Sequence, residues 1–80
     1  MRYLQSEEEK VVTVIHEVLH ATKTMKDIAA RDGYAQAPKG SIVRAKHEAY
    51  VDNIAKAIAK KLGLIPHNYP ATDWRQYYRP

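Results

Sequence analysis

Apolar residues recur every three or four positions along the first third of the chain, which is the spacing of an amphipathic helix. Ser6 and Glu9 match a capping box, in which each side chain satisfies a free backbone amide of the other residue. Asp32-Gly33 supplies a stop, because glycine readily takes the left-handed conformation that follows a helix. The pattern predicts one helix over residues 7–32, with an apolar stripe of Val11, Val14, Ile15, Val18, Ala21, Met25 and Ile28.

A second helical pattern follows a loop over residues 33–40 that contains glycine and proline. Ser41 is a suitable N-cap and Gly63 a suitable stop, so the pattern predicts a helix over 41–62. Its apolar stripe comprises Val43, Tyr50, Val51, Ile54, Ile58 and Leu62. The tail over 63–80 should be extended, apart from one helical turn capped by Thr72 or Asp73. Its aromatic residues should cover apolar surface that the helices leave bare: Trp74, Tyr77 and Tyr78.

These elements predict a single all-α domain over residues 1–80, an antiparallel two-helix hairpin with an extended, aromatic and proline-rich C-terminal tail. A chain of 80 residues is near the lower limit for folding alone, and small domains are often stabilised by disulfides, a metal or association. The absence of cysteine excludes disulfides and thiolate zinc sites. Because two helices leave one face uncovered, we expect a homodimer that forms a four-helix bundle.

Charge and hydropathy limit the partners of the chain. The formal net charge is +4, but the basic residues are scattered among acids, which is typical of a solvated face rather than a nucleic-acid surface. The tail has aromatic and arginine residues that can stack on bases, although a hydrophobic strap or interface arm is the more common role. No stretch reaches the roughly 18–20 apolar residues of a membrane span. The first residues also lack the apolar region of a signal peptide, so a cytoplasmic protein is expected.

The segment His16-Glu17-Val18-Leu19-His20 carries the candidate chemistry. Residues four apart on a helix lie one above the other, so His16 and His20 can hold one metal ion, and neutral imidazole suits Zn²⁺. Glu17 lies beside the open coordination position, where it can take a proton from water. On a helical wheel the histidines lie nearly opposite the apolar stripe, so we expect them to face outward into a cleft. The alternative is a surface helix with two unengaged histidines.

Two histidines need a third ligand, and the second helix offers Glu48, with Asp52 one turn later. On the wheel these carboxylates share a side with small residues that would let the helices approach closely: Ala45, Ala55 and Ala59. Asp52 can then accept the second N–H of a ligand histidine and fix its tautomer. His47 is a weaker candidate in place of Glu48, and His67 is a weaker candidate for a fourth ligand.

HEVLH followed by EAYVD resembles the gluzincin metallopeptidases, whose pattern is His-Glu-x-x-His on one helix and Glu-x-x-x-Asp on the next. It is also similar to short His-Glu-x-x-His proteins of phages and prophages. The resemblance covers the two helices. It implies Zn²⁺ held by His16, His20 and Glu48, with Glu17 as general base and Asp52 as the partner of a ligand histidine. It also implies hydrolysis of a peptide or protein substrate.

The chain departs from the gluzincin pattern in two ways. Only residues 1–5 precede the motif helix, where such peptidases place a β-sheet that holds the substrate as an added strand. No motif matches the tyrosine or histidine that stabilises the oxyanion, and Tyr50, Tyr69 and His67 are candidates by residue type alone. The alternative function is therefore a non-catalytic helical-hairpin interaction protein, such as a small phage-type protein that binds a host factor, with or without a metal.

Overall fold

The computed structural model describes residues 6–79, and over this range the regular structure is all helical. Three α-helices follow in order: α1 (Glu7–His20), α2 (Lys23–Arg31) and α3 (Ile42–Lys61), with short 3-10 turns at Tyr34–Gln36 and Trp74–Gln76. The predicted all-α class is confirmed. Residues 1–5, for which the sequence predicts no signal peptide, and residue 80 at the end of the predicted tail lie outside the described range.

No helix between residues 6 and 79 combines the length and the apolar composition that crossing a bilayer requires.

The predicted helix over residues 7–32 is in fact two helices, and the prediction is wrong at Ala21 and Thr22. Thr22 has an extended backbone with φ −76° and ψ 150°. Its hydroxyl accepts a hydrogen bond from the Met25 amide (3.2 Å) and donates one to the Leu19 carbonyl (2.7 Å). Thr22 therefore caps the start of α2 while it also satisfies a carbonyl in the last turn of α1. This extended residue interrupts the helical hydrogen bonds, so α2 need not continue the axis of α1.

The other helix boundaries agree with the sequence pattern to within one residue. Ser6 and Glu9 form the predicted capping box, with each side chain accepting a hydrogen bond from the other's backbone amide. The Ser41 hydroxyl accepts the amide of Arg44 (3.3 Å) at the start of α3. Helix α3 ends where Gly63 takes φ 74°, a conformation that favours glycine.

Helices α1 and α3 form the centre of the fold and run in opposite directions. Val12, in the first half of α1, packs with Ala55 and Ala59 from the second half of α3. His20, at the end of α1, contacts Glu48 from the first half of α3. The buried side of α3 consists largely of alanine, which allows close approach of the two helices: Ala45, Ala49, Val51, Ala55 and Ala59, together with His47.

The face of α1 that packs on α3 matches the predicted stripe only in part, because Val11 and Ile15 pack against the core but other members of the stripe do not. Val14 and Val18 are 62% and 60% exposed, although the predicted apolar stripe buries them. Val12 and His16 are buried instead, with exposures of 5% and 8%. The prediction that both histidines face outward, away from the packed side of the helix, is therefore wrong.

On α3 the predicted stripe is buried only in part, because Val51 is fully buried whereas Val43, Tyr50 and Leu62 are exposed. The alanine side of the helix is buried as well. The physical reason is that a histidine can be buried when carboxylates on the facing helix satisfy its nitrogens. The small alanines bring those carboxylates within reach. Some of the larger apolar side chains, such as Val14 and Val18 on α1 and Tyr50 on α3, remain at the surface as a result.

The tail folds back onto α3 through hydrogen bonds of two α3 side chains. The Asn53 amide accepts from the Thr72 backbone N–H (2.7 Å) and donates to the Thr72 carbonyl (3.1 Å). Lys56 donates to the Pro70 carbonyl (2.8 Å) and to the Thr72 hydroxyl (2.7 Å). Further along, Asp73 caps the turn at Trp74–Gln76, as the sequence suggested. These contacts fix Thr72 beside the middle of α3.

The burial of Val12 and the exposure of Val14 can be tested by making the same substitution at each valine. Val12→Ala should lower the free energy of unfolding by about 2 kcal/mol, because it removes two buried methyl groups and leaves a void. Val14→Ala should change it by less than about 0.5 kcal/mol, because Val14 lies in solvent. Urea unfolding followed by circular dichroism measures both, and a larger loss for Val14→Ala would contradict the packing described above.

Candidate metal centre

Two histidines of α1 and one carboxylate of α3 converge on a single point. The Nε2 atoms of His16 and His20 lie 3.1 Å apart, and each lies 2.9 Å from Oε1 of Glu48. Among residues 6–79 this is the group of donor atoms that is able to hold a metal ion. The structure thus brings together the three ligands that the sequence predicts.

The helix geometry explains this convergence. His16 and His20 are one turn apart on α1 and present their rings one above the other, with ring centroids 4.8 Å apart. The opposite direction of α3 places Glu48 across from the end of α1 and Asp52 across from its previous turn. The two histidines of α1 and the two carboxylates of α3 are each four residues apart, so each histidine lies opposite one carboxylate.

His16 lies between two carboxylates. Its Nδ1 is 2.9 Å from Oδ1 of Asp52, and its Nε2 is 2.9 Å from Oε1 of Glu48. A neutral imidazole carries one proton, so if Nδ1–H donates to Asp52, the Nε2 lone pair faces the lone pairs of an ionised carboxylate. Two acceptors at that distance repel each other unless a cation lies between them. The position must therefore hold either a proton or a metal ion.

In the metal-free protein that cation is the proton of an imidazolium. The hydrogen bond to Asp52, followed by the hydrogen bond to Glu48, raises the pKa of His16 from 6.5 to about 9. The hydrogen bond with His16 is likewise the main reason that the pKa of Glu48 is lowered from 4.5 to about 2. Binding of a metal would displace the proton from Nε2 and leave Nδ1–H donating to Asp52.

Tyr34 orients the Glu48 carboxylate. Its phenol donates a short hydrogen bond to Oε2 of Glu48, which leaves Oε1 directed at the two histidines. Burial of the phenol, together with this hydrogen bond, raises the pKa of Tyr34 to about 12. The phenol therefore stays protonated at neutral pH and remains a donor.

Asp52 is held in a similar way. Its Oδ2 accepts a short hydrogen bond from the Thr72 hydroxyl, and the ammonium of Lys56 lies 3.8 Å from the same oxygen. Burial alone would raise the pKa of Asp52, but the hydrogen bonds to His16 and Thr72 and the charge of Lys56 together hold that pKa below its usual value. The tail thus helps to keep Asp52 ionised and aimed at His16.

The donor set fits zinc. In a tetrahedral site with bonds of about 2.0–2.1 Å, neighbouring ligand atoms lie about 3.3 Å apart. The separations of 2.9–3.1 Å in the metal-free arrangement require the three donors to spread by only a few tenths of an ångström. Two imidazoles and one carboxylate also leave a coordination position open for water or substrate, as catalytic zinc sites do.

Glu17, the predicted general base, is exposed and makes no hydrogen bond or ion pair that involves the described residues. The negative charge of Glu17 nevertheless acts on the site. Burial is the main cause of the raised pKa of Tyr34, and the Glu17 charge adds a small further contribution. The Glu17 carboxylate therefore lies within electrostatic reach of the Tyr34 phenol, which itself binds Glu48.

The weaker candidates from the sequence do not join the three donors. His47 is buried with both ring nitrogens lacking a hydrogen-bond partner among residues 6–79, and its Nδ1 lies 3.8 Å from the Asp32 carboxylate. Burial is the main reason that the pKa of His47 is lowered. Tyr50 is 48% exposed, Tyr69 packs against the Val12 cluster, and His67 is exposed.

Three residues that complete the site were missed as functional residues in the sequence. Tyr34 falls in a segment predicted to be a loop, the sequence favours Thr72 only as a cap, and it offers Tyr77 only as an apolar cover or a residue that stacks on bases. The Tyr77 ring lies with its centroid 6.5 Å from that of His16, and burial raises the pKa of its phenol to about 12. None of the three belongs to a local motif, so only the fold reveals their role.

Comparison of the chain with protein-family models, with curated proteins and with solved structures gives no match. The resemblance to gluzincins therefore rests on the motif residues of α1 and α3.

The shifted pKa values predict how the stability of metal-free protein depends on pH. The contribution of the raised His16 pKa is fully present below pH 6.5 and is lost as the pH rises through about 9. The contribution of the lowered Glu48 pKa is present above pH 4.5 and is lost as the pH falls through about 2. The His16–Glu48 hydrogen bond contributes to both shifts, so its contribution is counted once. Stability should peak between pH 4.5 and 6.5 and fall by on the order of 1–2 kcal/mol towards pH 9.

Urea unfolding of chelator-treated protein at a series of pH values measures this dependence. His16→Gln should flatten the alkaline loss, whereas His67→Gln, which changes an exposed histidine, should leave the profile intact. A constant free energy of unfolding between pH 6.5 and 9 in the unmodified chain would show that His16 is not charged between the two carboxylates.

Proposed function

We propose that this protein is a small zinc metallopeptidase of the gluzincin type, in which His16, His20 and Glu48 bind Zn²⁺ and Glu17 serves as general base. The observation that supports this proposal is the convergence of the three donor atoms around a position that requires a cation. When bound, zinc would supply a Lewis acid that polarises a carbonyl and brings the pKa of water near 7.

The protein's own residues have distinct roles in this proposal. Asp52 holds Nδ1–H of His16, so that Nε2 presents its lone pair to the metal. Tyr34 holds one oxygen of Glu48 and leaves the other as the ligand. Glu17, next to His16 in the chain, takes the proton of the attacking water and returns it to the leaving amine. These roles assign each carboxylate of the two motifs a different task.

Tyr77 is the residue that we propose for stabilising the oxyanion, a role for which the sequence offers no motif. Its phenol keeps its proton at neutral pH because its pKa is about 12. The ring lies beside His16, and the described residues include no acceptor for its hydroxyl. It is therefore able to donate a hydrogen bond to the carbonyl oxygen of a substrate.

Metal content is the first test. Protein purified without added metal and without chelators should contain close to one zinc per chain by elemental analysis. His16→Ala should lose that zinc, because two ligands cannot hold it tightly. His67→Ala, a matched change at an exposed histidine, should retain it. Two histidines and a carboxylate also suit iron(II), so iron in place of zinc, or a metal-free chain, would contradict the proposal.

The role of Glu17 is tested separately. Glu17→Gln should lower the rate of hydrolysis of a quenched fluorescent peptide library by at least about 100-fold, because it removes the general base. It should leave the zinc content unchanged, since Glu17 is not a ligand. Glu8→Gln, at an exposed glutamate in the first turn of α1, is the control and should keep full activity. Equal rates for the Glu17 variant and the unmodified protein would show that Glu17 is not the base.

A non-catalytic interaction protein is the second candidate, and the surface of the molecule favours it. Val14, Val18, Leu62 and Leu64 are each more than half exposed, which is unusual for so many large apolar side chains in a small chain. A homodimer with a four-helix bundle, or a protein partner, would cover them. If the chain binds zinc but shows no hydrolysis that depends on Glu17, this candidate is supported over the peptidase.

A further inference from the structure

A cavity of about 410 Å³ opens beside Glu48. Tyr34 and Tyr77, the two phenols of the candidate metal centre, form part of its wall together with Glu48. The rest of the lining includes three cationic side chains: Lys39, Arg44 and Arg79. One carboxylate therefore faces three cations in a space that adjoins the metal position.

These three cations have no acidic partner among residues 6–79, where the ion pairs involve other basic residues. Within the described part of the chain, the guanidinium of Arg79 donates to the carbonyls of Gln76 and Tyr78 and to no carboxylate. By contrast, the exposed Arg75 makes several hydrogen bonds to Asp73. The cavity thus concentrates positive charge that the protein leaves uncompensated.

Arg44 is the cation of this cavity whose position is best defined. Its guanidinium lies 4.7 Å from the centroid of the Tyr34 ring, which fixes its position. Its Nε–H is buried and has no hydrogen-bond acceptor among residues 6–79. A buried donor on a charged group costs free energy unless a partner satisfies it. The terminal N–H groups of the Arg44 guanidinium also have no acceptor among the described residues, and an anion in the cavity would accept hydrogen bonds from them.

A backbone hydrogen bond fixes the part of the cavity wall that contains Arg79. The Arg79 amide donates to the Gly40 carbonyl at 2.8 Å, just before the start of α3. Gly40 has φ 76°, and a Cβ at this position would lie 2.6 Å from the Cβ of Arg79. This close approach therefore requires glycine and keeps Arg79 beside the start of α3.

We propose that this cavity binds a carboxylate group of the substrate, so that the protein selects peptides with a free carboxylate near the bond at the metal centre. The selection of substrates rests on the proposed function, but carboxylate binding itself does not require the metal. A carboxylate is favoured over a phosphate because Glu48 lines the same cavity and would repel a dianion more strongly. The carboxylate is either the C-terminal group of a peptide or an aspartate or glutamate side chain.

Calorimetric titration of the full chain, metal-free and zinc-loaded, tests this proposal. The first probe pair is N-acetyl-Ala-Ala and its C-terminal amide, and the second is N-acetyl-Ala-Asp-amide and N-acetyl-Ala-Asn-amide. We expect at least one acid to bind about tenfold or more tightly than its uncharged match. The pair that shows the preference identifies the source of the carboxylate. Equal affinities within both pairs would overturn the proposal, as would tighter binding of phenyl phosphate than of either acid.

Variants locate the preference in the cavity. Arg44→Gln should bring the acid-to-amide preference close to one, and Lys39→Gln should reduce it. The second variant changes an exposed residue and keeps the test decisive if Arg44→Gln fails to fold. Lys26→Gln removes one exposed positive charge on α2, outside the cavity lining, and should leave the preference unchanged. A preference that survives both cavity variants would overturn the proposal.

The two proposals fail in different ways. If the chain holds no zinc and hydrolyses no peptide, but still prefers acids through Arg44, the carboxylate site stands and the peptidase does not. If the chain holds zinc and hydrolyses peptides, but binds acids and amides equally, the peptidase stands and the carboxylate site does not.

Discussion

The placement of one imidazole between two carboxylates governs the rest of this structure. His16 belongs to α1, whereas Glu48 and Asp52 belong to α3, so this contact joins the two long helices. It also sets their register, because the carboxylates are one turn apart and meet opposite nitrogens of the same ring. Since three ionisable groups are removed from water together, the arrangement is stable only with a cation at Nε2. Folding and metal chemistry thus depend on the same atoms.

As a consequence of this arrangement, the core contains few large apolar side chains. The buried positions of α3 are mainly alanines, and the largest fully buried side chain is Val51. Because apolar burial contributes roughly 0.8 kcal/mol per methylene group, such a core stabilises a chain of 80 residues only modestly. A metal that binds only the folded state adds its binding free energy to the stability. Association is the third way to stabilise a small domain, and the proposed dimer would cover the large apolar side chains that are exposed on α1 and after α3.

The sequence alone predicts the all-α class, the caps and the three converging donors, because each depends on local chemistry or on fixed helical spacing. The buried faces of the helices are predicted only in part, since a hydropathy pattern treats histidine as a surface residue and alanine as neutral. Whether His16 is buried depends on Glu48 and Asp52, more than thirty residues away. The break at Thr22 was missed because a threonine within an apolar repeat is compatible with a continuous helix. Tyr34, Thr72 and the cationic cavity depend on loop and tail positions that no periodic pattern encodes.

The early end of α1 has a further consequence. With 14 residues, α1 is at the length where an isolated helix is only marginally formed in water. A synthetic fragment that carries the His-Glu-x-x-His segment would sample many backbone conformations and would not hold its imidazoles one turn apart. The ligand geometry is therefore a property of the assembled tertiary structure, in which α3 and the returning tail supply the rigidity that the motif itself lacks.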